Sequence, residues 1–265
     1  MFCLVVVVCL IENHICMNAI LNHRSIRKYK STPLEESLLN DILYAGTRAS
    51  TTGNMQVYSI IVTQDQAVKD QLAPCHFNQP MVKEAPVVLT FCADFNRFNK
   101  WCRQRKAEPG YDNFLSFFTA AIDALLVAQN VCIAAEDKGL GICYLGTTTY
   151  TANKIIDVLK LPKGVVPVTT VVLGYPDESP ELTDRIPVPA ILHREIYQDY
   201  SEGDIDQIYA AKEAMPLTKK LLEENKKETL AQIFTDNRYN KKDNVAFSKV
   251  LLKVLHDQGF MNNEM

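Results

Sequence analysis

One stretch of the sequence limits the possible folds more than any other: residues 112–138 are apolar at nearly every position. The pattern predicts one long helix, with the Asp112 carboxylate able to cap its N-terminus. A helix that is apolar on all sides is buried on all sides. Asp123, Gln129 and Asn130 would be costly inside a membrane, so we expect a core helix. Its apolar surface exceeds what one subunit of 265 residues should cover, which favours an obligate homodimer.

The other elements are predicted from shorter patterns of apolar residues. Runs of β-branched and aromatic residues predict strands at 57–63, 86–93, 141–145 and 165–173. Apolar residues at helical spacing predict helices at 33–48, 66–72, 153–159, 218–232 and 245–255. Small polar or Pro-containing segments predict loops at 50–54 and 182–189. No repeat or flexible linker divides the chain, so we expect a single domain over residues 17–265.

The first 16 residues, MFCLVVVVCLIENHIC, differ in character from the rest of the chain. Their apolar run has the length of a secretory-signal core and is too short to span a bilayer. It lacks the preceding positive charge and the small residues of a cleavage site. We expect residues 1–16 to be an extension outside the fold, with a cytosolic protein beginning at Met17.

Composition narrows the classes of function. Lys and Arg number 28 against 31 Asp and Glu, a net charge of −3 that disfavours a nucleic-acid-binding protein. The eight cysteines include no C-x-x-C pair, so the spacing of zinc ribbons and ferredoxin clusters is missing. We therefore expect no metal site, no nucleic-acid or membrane partner, reduced cysteines and a cytoplasmic location.

Sequence motifs for self-contained catalysis are missing as well. The chain has no G-x-G-x-x-G, no Walker loop, no H-E-x-x-H and no G-x-S-x-G, so an enzyme here would take its reactivity from a cofactor. The segment HRSIR at 23–27 places two guanidinium groups and a hydroxyl within five residues, which suits an anion. The same residues are equally typical of a solvated basic face before a helix, and composition alone leaves both interpretations open.

Five segments in sequence order resolve this choice: HRSIRKY, RASTTGNMQVYSIIV, GLGICYLG, LPKGVVPVTTVVLGYP and DRIPVPAILHREIYQ. Together they resemble the FMN-dependent nitroreductase family, in particular its oxygen-insensitive NADPH nitroreductase and flavin reductase branch. The resemblance runs over residues 23–259. It implies an α+β sandwich, with a mixed, mostly antiparallel sheet flanked by helices, and an interlocked homodimer that binds two FMN molecules at its interface.

The resemblance also implies which residues hold FMN. The matching positions are His23, Arg24, Ser25, Arg27, Ser50, Thr51, Thr52, Asn54, Gln56, Gln79, Tyr144, Leu145, Gly146, Thr147, Thr183 and Arg185. Arg24 and Arg185 would meet the phosphate, and Arg27 would tune the flavin. Thr183 stands where relatives have Lys, and Thr149 where some have a basic residue, so we expect looser FMN binding and an altered NADPH preference.

The activity that the resemblance implies is a ping-pong reaction. NAD(P)H would reduce the flavin and leave before a nitroaromatic, a quinone or free flavin is reduced, with no obligatory catalytic side chain. The sequence leaves alternatives open: a quinone or free-flavin reductase for which nitro compounds are incidental, an FMN storage or sensor protein with low turnover, and a structural dimer without cofactor.

Overall fold

The computed structural model of the chain describes residues 17–262. Four strands form an antiparallel sheet in the order β1-β2-β4-β3: β1 (Tyr58–Thr63), β2 (Val87–Asp94), β3 (Gly141–Leu145) and β4 (Val165–Gly174). All four predicted strands are confirmed to within one residue at each end. The central strands β2 and β4 are buried almost throughout, because both faces of the sheet are covered, and this explains their continuous apolar sequences.

Ten helices that lie entirely within the described residues accompany this sheet along the chain. They are α1 (Glu36–Gly46), α2 (Gln66–Leu72), α3 (Met81–Glu84), α4 (Asn96–Gln104), α5 (Phe114–Asp137), α6 (Ala152–Leu159), α7 (Glu202–Glu213), α8 (Pro216–Asn225), α9 (Leu230–Gln232) and α10 (Lys241–Asp257). The chain therefore has the predicted α+β fold class. Short 3-10 turns occupy Thr52–Asn54, Ala73–His76 and Val188–Ala190, and Ile233–Arg238 is a π-helix.

Three details of the helix predictions were wrong. The long helix α5 is capped by Asn113, whose side chain accepts from the Ser116 N–H, and not by Asp112. The predicted helix 218–232 is interrupted, because Lys226 has a left-handed backbone (φ 53°) and Thr229 starts a new turn with its own capping box. Helices α3, α4 and α7 were not predicted; α7 buries none of its residues and so lacks a core-facing apolar stripe.

The long helix α5 packs one side against α1, β2 and β4 and leaves the other side open. Ala124, Val127 and Val131 are buried in the core. On the opposite side Leu115 is 71% exposed and Phe118 52% exposed. By length and composition this helix could also cross a membrane, but half of it is buried within the fold.

The chain divides into two compact units. Of the described residues, unit one comprises 17–181 and 247–262, and it contains the sheet, α5 and most of the buried apolar residues. Unit two, Leu182–Ala246, contains α7, α8, α9 and the π-helix. The single domain expected over residues 17–265 stays a prediction, and the extension 1–16 lies outside the described residues.

The cysteines of the described chain behave as small apolar residues. Five of them are free thiols and all are buried: Cys75, Cys92, Cys102, Cys132 and Cys143. Burial raises the pKa of the Cys92 and Cys143 thiols, so both are protonated and unreactive at neutral pH. Within the part of the chain that the structure describes, no group of three His, Cys, Asp or Glu side chains is placed to hold a metal ion.

Candidate functional site

The basic HRSIR segment lies along the outer edge of strand β3. Ser25 forms a parallel bridge with Ile142, and the Ile26 N–H donates to the Ile142 carbonyl at 2.9 Å. This close approach requires a glycine at position 141, where a Cβ atom would lie 2.6 Å from the Ile26 side chain. Because β3 continues into Tyr144–Thr147, the structure brings two of the sequence-predicted segments to the same edge of the sheet.

The side chain of Arg24 lines a cavity beside this edge. Its Nε atom is buried and has no hydrogen-bond partner, so an acceptor is missing at this position. The cavity, about 330 Å³ in volume, is also lined by Glu136, Asp137 and Glu178. His23 already has a partner there, since its Nδ1 lies 2.8 Å from Glu136 Oε1. One guanidinium therefore faces three carboxylates, and the cavity is less favourable to an anion than the sequence suggests.

Arg27 is placed differently from Arg24. The backbone N–H groups of Arg27 and Lys28 donate to Glu178 Oε1 at 2.5 and 3.1 Å, which fixes this turn of the chain. The Arg27 side chain is exposed and its guanidinium contacts only the Ser25 carbonyl, at 3.4 Å, among the described residues. It is therefore available to a ligand.

The polar loop between α1 and β1 is held by a carboxylate of the core helix. Asp123 is 1% exposed and accepts hydrogen bonds from the Thr52 N–H at 3.0 Å and the Val57 N–H at 3.4 Å. Gly53, Asn54 and Gln56 between them all have left-handed φ angles of 52–56°. The loop that contains Ser50, Thr51, Thr52, Asn54 and Gln56 thus has a fixed, sharply turned backbone. The sequence analysis did not predict that Asp123 holds this loop. The available signal was an acidic residue in the middle of an otherwise apolar helix.

A second buried contact joins the loop after β3 to the loop before α3. His76 is 0% exposed, and its Nδ1 lies 2.8 Å from Thr147 Oγ1. The Thr151 hydroxyl donates to the Cys75 carbonyl at 2.5 Å. Burial lowers the pKa of His76 to about 4, so its imidazole is neutral at physiological pH. The two contacts hold Thr147 and, three residues after His76, Gln79 in fixed positions; the sequence gave no sign of this role for His76.

The end of strand β3 offers an open surface between these contacts. Gly146 is exposed, and a Cβ atom added there would meet no atom within 4 Å. The adjacent Tyr144 is half-buried, and its hydroxyl donates to the Gln129 side chain of α5 at 3.3 Å. Leu145 is fully buried beneath them. The backbone at Gly146 is therefore open to a ligand.

Thr183 and Arg185 lie together in unit two. The Arg185 guanidinium donates to the Thr183 hydroxyl at 2.6 Å and to the Thr183 and Asp184 carbonyls. Asp184 forms an ion pair with Lys212 at 2.7 Å, and this hydrogen bond lowers the pKa of the carboxyl group. Lys212 of α7 therefore places a positive charge beside Asp184, which directly follows Thr183, the position where relatives have Lys.

Taken together, the described chain shows a sheet backed by a long helix, a basic edge segment and two loops fixed by buried side chains. Two arginines and an open backbone position in this setting fit a protein that binds a cofactor. The family model described as "Nitroreductase family" matches residues 20–175, and the chain belongs to that family.

Individual relatives agree with this assignment. An NADPH-flavin oxidoreductase from Vibrio harveyi is 33% identical over 193 residues, 71% of this chain and 77% of that protein. An FMN reductase (NADPH) from Bacillus subtilis is 34% identical over 183 residues, 68% of this chain and 74% of that protein. The crystal structure of an oxidoreductase from Bacteroides fragilis matches with a TM-score of 0.91 and 58% identity, covering 92% of this chain and 100% of that one.

Proposed function

We propose that the protein is an FMN-dependent oxidoreductase that takes electrons from NAD(P)H and delivers them to small planar acceptors. The observation that supports this most directly is the pairing of the HRSIR segment with the first residues of β3, the strand whose other end leads to the open position at Gly146. Two relatives, an NADPH-flavin oxidoreductase and an FMN reductase (NADPH), have names that describe the same chemistry.

The residues at this edge fit a flavin phosphate and ring. Arg24 would hold the phosphate, because its buried Nε needs an acceptor. The exposed guanidinium of Arg27 would place positive charge beside the polar edge of the ring. When bound, FMN would supply the capacity to accept hydride and pass electrons on. The carboxylates of Glu136, Asp137 and Glu178 oppose an anion, so we expect moderate FMN affinity.

The other predicted contacts would position the ring from its two sides. The loop at 50–56 would offer hydroxyl and amide groups from a backbone that Asp123 holds in place. Thr147 would act from a position fixed by the neutral imidazole of His76. These side chains bind and orient, and none is suited to act as an obligatory acid or base. As the family resemblance implies, the proposed reaction order is ping-pong, with nitroaromatics, quinones or free flavin as acceptors.

We propose a homodimer from the open side of α5. Its exposed apolar residues recur every three or four positions and so share one face. They are Leu115, Phe118, Ile122, Leu125 and Leu126. A contiguous apolar face of this kind is typical of an interface. Replacing Leu125 with Glu should yield a species near 30 kDa in sedimentation velocity, whereas exposed Asp41→Ala should leave a dimer; a wild-type monomer would contradict the proposal.

The test of the activity uses the purified protein. We expect absorption bands at about 370 and 450 nm, bleached by anaerobic NADPH and restored by a quinone. A protein that binds FMN and does not bleach would be a storage or sensor protein, and a colourless protein that ignores added FMN would be a structural dimer. The five buried free thiols suit a reducing compartment, and we propose a cytoplasmic location.

A further inference from the structure

Three aromatic rings of unit one form a cluster next to the candidate flavin surface. Tyr150 and Phe247 stack with ring centroids 4.4 Å apart and an interplanar angle of 6°. Phe77 packs against both, at 6.5 Å from Tyr150 and 6.0 Å from Phe247. Phe77 is nevertheless 53% exposed. The cluster therefore presents one largely uncovered ring, supported from behind by two others.

The backbone at Phe77 is strained in a way that keeps the ring exposed. Phe77 and Asn78 both have a φ of 55°, the left-handed region that a bulky side chain seldom occupies. Such conformations are unfavourable for a bulky side chain and persist where the surroundings enforce them, often at functional sites. Here the neighbouring contacts of His76 with Thr147 and of Cys75 with Thr151 enforce them.

Chain connectivity ties the exposed ring to the candidate flavin site. Phe77 is two residues before Gln79, and Tyr150 is three residues after Thr147, whose carbonyl accepts from the Tyr150 N–H at 3.0 Å. Gln79 and Thr147 both match flavin-binding positions. The cluster is thus built on the same two loops that would position the ring of the cofactor.

We propose that Phe77 is the stacking surface for the planar, electron-poor aromatic acceptor, an inference that rests on the proposed function. The centroid distance of Tyr150 and Phe247 leaves no space for a third ring between them. The exposed ring of Phe77 is the face of the cluster that is open to an acceptor. Quinones and nitroaromatics have electron-poor faces, which complement the negative faces of Phe and Tyr. The cluster therefore selects for planar aromatic acceptors over compact ones.

The test compares Phe77→Asn, which removes the ring while tolerating a left-handed φ, with Phe77→Tyr, which keeps the ring. Trp101→Asn is the matched control, because Trp101 is 52% exposed. FMN-loaded proteins are reduced anaerobically with NADPH and reoxidised with menadione, nitrobenzene or ferricyanide. For Phe77→Asn we expect the half-saturating concentration of both aromatic acceptors to rise roughly three- to tenfold, or about 0.6–1.4 kcal/mol. Ferricyanide and NADPH kinetics should stay unchanged, and Phe77→Tyr should match wild type.

Three results would overturn the proposal. Equal effects on menadione and ferricyanide would show a general defect, and unchanged menadione kinetics would show that Phe77 does not contact the acceptor. A smaller species in sedimentation velocity for Phe77→Asn would show that the ring belongs to a subunit interface. If wild-type protein bound FMN but was not reduced by NADPH, the proposed function itself would fail. If NADPH reduced the Phe77→Asn protein normally and its preference among the acceptors were unchanged, only the stacking role of Phe77 would be contradicted, and the proposed function would stand.

Discussion

The two units of the chain differ in how their structure is held together. In unit one, β2 and β4 are buried nearly throughout, and the loops at 50–57 and 146–151 rest on the buried side chains of Asp123 and His76. In unit two, the structure depends on exposed contacts such as the Ser201 capping box of α7 and the pair of Lys212 with Asp184. Replacing the buried groups that fix the loops of unit one should therefore lower the free energy of unfolding strongly. Replacing the exposed contacts of unit two should lower it only weakly.

The largest effect should come from Asp123. Replacing Asp123 with Ala leaves the Thr52 and Val57 N–H groups without their carboxylate acceptor in the interior. We expect the free energy of unfolding to fall by about 2–4 kcal/mol, because hydrogen bonds to charged groups are worth about 1.5–3 kcal/mol each. Urea unfolding measures the change, and exposed Asp41→Ala should alter it by less than about 0.5 kcal/mol. Equal effects of the two variants would contradict the role of Asp123.

His76 should make the stability of unit one depend on pH. Burial lowers its pKa from 6.5 to about 4. Between these pH values the imidazole binds a proton in the unfolded chain and stays neutral in the folded chain. Stability is fully present above pH 6.5 and is lost as the pH falls toward 4, by on the order of 3 kcal/mol. His76→Gln should flatten this part of the urea-unfolding profile. His256→Gln, at an exposed position, should leave it in place.

Arg24 tests the electrostatics of the candidate phosphate site. Arg24→Ala should weaken FMN binding by roughly 2–4 kcal/mol if its guanidinium meets the phosphate. Asp137→Asn should strengthen binding, since it removes a negative charge from the same cavity. Arg27→Ala should mainly slow flavin reduction and lower the flavin potential. FMN titration of the apoprotein and anaerobic reduction separate these effects; FMN affinity unchanged in Arg24→Ala would refute the phosphate role.

The smallest effect should come from Thr183 in unit two. Lys at this position would add a cation beside Arg185, and we expect FMN to bind roughly tenfold more tightly to Thr183→Lys. The gain is limited because Lys212 already neutralises Asp184 next to it. It should shrink at high salt, since exposed charges are screened within about 10 Å at 0.1 M. A dissociation constant within twofold of wild type would mean that Lys212 already supplies the missing charge.

The parts of the structure that could be predicted from the sequence are mainly those of unit one, and several of those that could not are in unit two. Burial leaves a periodic apolar pattern, so β1 to β4 and α5 were located to within a residue or two. The caps of α7 and the break at Lys226 leave no such pattern, and both were missed. The candidate site residues came from a resemblance between segments. Single side chains that act over long sequence separations, such as His76 on Thr147, were not predictable because no local pattern marks them.

The attachment of the HRSIR segment to the sheet has a consequence for the order of assembly. The Lys30 N–H donates to the Tyr175 carbonyl at 2.9 Å, 145 residues further along the chain. During synthesis this segment leaves the ribosome early and must wait for β3 and β4 before it has a partner. The arginines that would bind the cofactor are thus made before the strands that hold their segment in place. Cofactor uptake should report completed folding, so a nascent or truncated chain that ends before β4 should remain colourless.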